Sequence, residues 1–149
     1  MSEIVKILRN IIGRLEELRK MGELSAEREE KLDKLTKMLE ELKTLRLENT
    51  IQSRIAASGR GAMYQLRRAF YAQIASQKLD KIKSVDEWRK VAQKLIDLLN
   101  NKGIVDVPTK IILQYDIAEE GDTKYIKFKQ ARIFYFEPAG YHVIDFDEE

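Results

Sequence analysis

A chain of 149 residues can bury one core, or a core with a small satellite, and two large domains are excluded. Its 44% hydrophobic content is too high for a disordered chain, and its 35% charged content exceeds the roughly 25% of an average globular domain, so a folded protein with a strongly ionic surface is expected. With no Cys, one His and a net charge of only +2, a disulfide framework, a thiolate zinc site and an imidazole cluster are excluded, and no cofactor is expected.

In chain order, Ser2 and Glu3 open a first helix on which Ile4, Leu8, Ile11, Leu15 and Leu18 recur at the spacing of a coiled-coil seam, widened by Ile7 and Ile12. Gly22 stops it. Ser25 caps a second helix with Glu27, Glu29 and Glu30 in its first turn and Leu32, Leu35, Leu39 and Leu42 along one side. The short Gly22-Glu23-Leu24-Ser25 connection makes the two an antiparallel αα-hairpin. The heptad then drifts through Leu45, Leu47, Ile51 and Ile55, so the coiled-coil-like hairpin is read over 1–57 and Ser58-Gly59-Arg60-Gly61 as a hinge over 58–61.

A third helix is predicted from about Ala62 to Lys83, with Met63, Leu66, Phe70 and Ile74 facing a core. A fourth starts at the capping box Ser84-Val85-Asp86-Glu87, buries Val85, Trp88, Val91, Ala92, Leu95 and Leu99, and closes at Asn100-Asn101-Lys102-Gly103. From Pro108 the period changes to two. Ile111, Leu113, Tyr115 and Ile117 alternate with Ile112, Gln114 and Asp116, followed by an acidic turn at Gly121 and a return strand through Ile126 and Phe128. A further strand over 131–136, a turn at Pro138-Ala139-Gly140 and a last strand from Tyr141 to Phe146 complete a meander. The fold class is therefore α+β, mainly α: a helical domain over 1–103, in which 62–103 is a basic helix pair making a four-helix bundle-like whole with the hairpin, and a small acidic antiparallel sheet over 104–149.

Charge is segregated along this plan. Residues 1–50 hold 11 Lys/Arg and 11 Asp/Glu, residues 51–103 hold 11 and 4, and residues 104–149 hold 5 and 10. Between 51 and 83, Arg54, Arg60, Arg67, Arg68, Lys78, Lys81 and Lys83 stand against Asp80 alone. Tyr64, Arg67, Arg68 and Tyr71 fall at spacings of three, four and seven, on a helix face distinct from the core stripe. Guanidinium groups interleaved with aromatic rings pair phosphates and stack on bases, so Arg54, Arg60, Arg67, Arg68, Lys78, Tyr64 and Tyr71 are the candidate nucleic-acid-binding residues. The bland alternative has the Tyr rings packed beneath a neighbouring element and the arginines paired with acids of the sheet. Gly59-Arg60-Gly61 also offers backbone N–H groups to a phosphate, although it lacks the length of a P-loop.

His142 has no nucleophile arranged around it in sequence, and no catalytic set is recognisable, so an enzyme is not expected. Asp116, Glu119, Glu120 and Asp122 crowd one turn without the spacing of a calcium loop; a solvated hairpin tip is the plainer reading. No stretch approaches the roughly 18 apolar residues of a membrane span, and no signal segment opens the chain. With its thermophile-like composition, this fits a cytoplasmic or otherwise intracellular location, a virion included. In size and basic helical face the chain is similar to small helical subunits of RNA-guided effector complexes and DNA-binding virion proteins, but only Gln65-Leu66-Arg67-Arg68 carries that likeness and no residue role transfers. The expectation is a non-enzymatic subunit that binds a DNA or RNA backbone, as a homo-oligomer or part of a complex; the alternative is a helical assembly or adaptor protein whose charged surfaces bind protein.

Overall fold

The structure, a computed structural model, describes residues 2–22, 25–44 and 49–147. The chain is α+β and mainly α, in the order α1 (Ser2–Lys20), α2 (Ala26–Thr44), β1 (Thr50–Gln52), α3 (Gly59–Gln77), α4 (Lys81–Lys102), β2 (Thr109–Glu120) and β3 (Thr123–Tyr135). It divides into two compact units, Met1–Glu48 and Asn49–Glu149. The division falls after Glu48, where the sequence plan put it after Gly103, because α3 and α4 bury their apolar faces on the sheet.

In the first unit α1 contacts α2. Ile4, Leu8, Ile12 and Leu15 are buried on α1, and Leu32, Leu39 and Leu42 on α2. Ile11, expected on the seam, is 37% exposed, and Leu18 and Leu35 are half-buried. The stripe follows the 3.6-residue period of a straight helix, whereas a supercoiled seam would have kept Ile11 inside. Ser25 caps α2 by accepting the N–H of Arg28 at 3.3 Å. Glu23 and Leu24 of the connection, and Leu45 and Leu47 of the drifting heptad, lie outside the described residues.

The second unit stacks α3 and α4 on one face of an antiparallel sheet of order β1-β2-β3. Asn49 in a left-handed conformation (φ 57°) precedes Thr50 and Ile51, which pair with β2 opposite Gln114 and Leu113. Ile51 therefore belongs to a strand and not to a continued hairpin helix, as the β-branched pair Thr50-Ile51 favours. Gly59-Arg60-Gly61 is the first turn of α3, not a hinge. Ser58 is its N-cap, accepting the N–H of Gly61 at 3.0 Å. A Cβ on Gly59 would lie 2.9 Å from the Ile104 carbonyl and 3.2 Å from that of Val105, so glycine lets α3 close on the loop after α4.

α3 ends at Gln77, and Lys78, left-handed at φ 53°, donates its N–H to the Ile74 carbonyl. α4 starts three residues before the expected capping box, with Asp80 as N-cap accepting the N–H of Lys83 at 2.9 Å. Ser84 is thus inside the helix and fully buried, its hydroxyl accepting the N–H of Ile126 at 3.0 Å.

β2 and β3 are joined through Gly121 (φ +65°) and Asp122. A bulge at Gln114/Tyr115 leaves Lys129 without an opposite number, so the strands expected over 125–129 and 131–136 are one. The expected last strand is not formed: residues 136–147 carry no regular structure, and Tyr141, Val143, Ile144 and Phe146 are exposed. The third strand of the sheet is β1 instead. Between the layers Phe70 stacks on Trp88 at 5.1 Å between ring centroids, Phe128 lies 5.8 Å from Phe70, and Tyr115 accepts the Gln73 side-chain N–H at 3.0 Å. Ile111, Leu113 and Tyr115 face this core, as the alternation predicts. No helix among the described residues is long and apolar enough to cross a membrane.

Candidate nucleic-acid interface

The outer face of α3 is defined by what the inner face must do. Gly59, Ala62, Leu66, Phe70 and Ile74 are buried, one residue per turn, so the opposite side carries Arg60, Tyr64, Arg67, Arg68 and part of Tyr71. The helix contains no acidic residue. Arg67 lies over the Tyr71 ring at 5.8 Å and Arg68 over the Tyr64 ring at 5.9 Å, each pair one turn apart. Guanidinium and ring thus hold each other extended on the surface.

The two tyrosines differ in kind. Tyr64 is 62% exposed. Tyr71 is half-buried, edge-on to Phe70 at 5.3 Å, and belongs partly to the core, as the bland reading of the sequence had it. The other half of that reading, arginines paired with acids of the sheet, is not what forms. Sheet carboxylates are taken by lysines: Glu119 by Lys124 at 3.3 Å, Asp116 by Lys129 at 3.1 Å, and Glu120 by Lys83 at 2.7 Å. The Lys83 hydrogen bond holds the Glu120 carboxyl below its ordinary pKa and, reciprocally, raises that of Lys83. The crowded acidic turn is therefore an ion-paired hairpin tip.

Arg54 is tied to α3 by a contact invisible in sequence. Its backbone N–H donates to the Gln65 side-chain oxygen at 2.8 Å, one turn before Arg68. Arg60 makes a solvent-exposed pair with Asp106 at 3.7 Å, of the weak kind a phosphate can displace. Lys78 stands apart. It is the C-cap of α3, roughly 15 Å along the helix from Arg68 at 1.5 Å per residue, where its charge also complements the helix dipole. The backbone of Gly59-Arg60-Gly61 is not open to a phosphate as expected. The N–H of Arg60 meets the Val105 carbonyl at 3.3 Å, and that of Gly61 is held by Ser58.

The arrangement thus leaves Arg60, Arg67 and Arg68 exposed along α3, with Arg54, Arg67 and Arg68 in no ion pair among the described residues. Gln65 and Asp106 are the participants that sequence reasoning missed, and no local pattern marks either. Comparison of the chain with protein-family models, curated proteins and solved structures gives no match, so the geometry of this face alone carries the functional reading.

Proposed function

We propose that the chain is a non-enzymatic nucleic-acid-binding subunit that grips a phosphate backbone with the outer face of α3. One observation carries the reading: on a helix with no acid, Arg67 and Arg68 are spread on Tyr71 and Tyr64 while the acids of the sheet are occupied by lysines. A guanidinium fork held in place loses less entropy on meeting a phosphate than a free one. Each ring already has a cation over one face, so backbone contacts rather than base stacking supply the affinity. The test is an electrophoretic shift with single- and double-stranded DNA and RNA across salt. Replacing Arg60, Arg67 and Arg68 by Ala should leave the fold intact and flatten the salt dependence by about 0.9 per lost contact on duplex DNA, or about 0.7 on single strands. A folded triple variant that binds as well as the parent sinks the proposal. A parent that binds no nucleic acid leaves an acidic protein as the partner of the Tyr64–Arg68 pair, since Tyr and Arg are enriched at protein interfaces.

A further inference from the structure

We propose that the segment Tyr141–Phe146 of one copy adds as a strand to the outer edge of β3 in a second copy, the exchange being reciprocal. The segment presents Tyr141, Val143, Ile144 and Phe146 at 87%, 79%, 71% and 88% exposure, next to Tyr135 at 48%. A run of β-branched and aromatic residues left in water is a strand without a sheet.

The sheet offers a place for it. β3 is an outer strand, and edges of this kind are normally protected. Here protection covers only the beginning. The Lys124 carbonyl accepts the N–H of Asp80 at 2.7 Å and the Ile126 N–H is donated to Ser84 at 3.0 Å, both from the start of α4. From Phe128 to Tyr135 no strand lies on the outer side of β3 among the described residues, β2 pairing only its inner side. That eight-residue stretch is long enough to take the six-residue segment.

Charge chooses the same pairing. β3 carries Lys124, Lys127, Lys129 and Arg132 and no acid, Lys124 and Lys129 being held only in solvent-exposed pairs with Glu119 and Asp116, whereas the chain beyond Tyr141 carries Asp145, Asp147, Glu148 and Glu149 and no Lys or Arg. The chain's own segment does not fold back, and Gly140 holds φ +147° between them. A second copy presents the same edge and the same segment, which is the condition for a closed two-fold pair. Main-chain hydrogen bonds then supply affinity and the acids set orientation.

The experiment is sedimentation equilibrium of the full chain over a wide concentration range, at low and high salt, beside Val143→Pro and Asp145→Lys/Asp147→Lys. The parent should dimerise, more weakly as salt rises. Val143→Pro removes an N–H and restricts φ at an exposed position outside regular structure, so it should weaken dimerisation about tenfold or more with unchanged melting. The lysine variant should also weaken it, and its salt dependence should shrink. A parent that stays monomeric throughout overturns the proposal, as does a Val143→Pro variant that dimerises as tightly as the parent.

Discussion

Ser84, on the buried side of α4, accepts the backbone N–H of Ile126 at 3.0 Å, tying a helix to the outer edge of β3 through one hydroxyl. Ser84→Ala would strand that N–H in the interior, at a cost of about 1–3 kcal/mol. Asp80→Ala removes the true N-cap of α4 and should cost about 0.5–2 kcal/mol. Urea unfolding of the two variants separates the roles. If Ser84→Ala is neutral, a water or a rearrangement serves Ile126 and the hydroxyl is not needed.

Ile11 and Leu15 distinguish a straight helix from a supercoiled seam. Leu15 is 7% exposed and Ile11 37%. Leu15→Ala should cost roughly 2–5 kcal/mol and Ile11→Ala under about 1 kcal/mol in thermal unfolding. Equal losses would restore the seam.

Gly59 tests whether the start of α3 is a hinge. A hinge tolerates alanine; a helix turn set against the Ile104 and Val105 carbonyls does not. Gly59→Ala is expected to lower stability by about 1–3 kcal/mol through overpacking, read as a shifted denaturation midpoint. A variant as stable as the parent would mean that the contact yields.

Tyr64 and Tyr71 separate binding from packing. Tyr64→Ala should weaken nucleic-acid binding and leave melting within about 0.5 kcal/mol of the parent, because the ring touches solvent and Arg68. Tyr71→Ala should lower melting as well, since that ring packs on Phe70. Arg67→Lys and Arg68→Lys keep the charge and lose the fork, so binding unchanged by both would identify a patch that acts by charge alone.

The Lys83–Glu120 pair gives the pH test. Glu120 is lowered by its hydrogen bond to Lys83, so its contribution to stability is present above the ordinary glutamate pKa and is lost as pH falls through the lowered value. Lys83 is raised by the same bond, so its contribution is present below the ordinary lysine pKa and is lost as pH rises through the raised one. In an NMR titration the Glu120 carboxyl should titrate below the ordinary glutamate value, return to it in Lys83→Met, and approach it in high salt. A Glu120 that titrates at the ordinary value in the parent would show the pair to be unformed.

Much of the second unit was legible from periodicity. Leu66, Phe70 and Ile74 at helical spacing and Ile111, Leu113 and Tyr115 at alternate positions reach the core because burial of an apolar face is a local pattern with a global reward. Arg67, Arg68, Tyr64 and Tyr71 share a face for the same reason. Arg54 could be named only by its charge, and its place beside Gln65 depends on eleven intervening residues turning back.

The sequence by itself determined the class α+β, the helical hairpin, the apolar faces of α3 and β2, and the segregation of basic from acidic residues, since all of these follow from residue type and spacing. Only the tertiary structure decided that Thr50–Gln52 supplies the third strand, that Ser84 serves Ile126 rather than a helix end, and that Tyr141–Phe146 stays unpaired. Pairings between residues 42 to 64 positions apart, the hydrogen bond of Ser84 with Ile126 and the strand register of Thr50 with Gln114, leave no mark in a local window. Ser84 matched a helix-capping pattern as well as any serine can, and the competing donor it satisfies was chosen by which strand came to lie beside it.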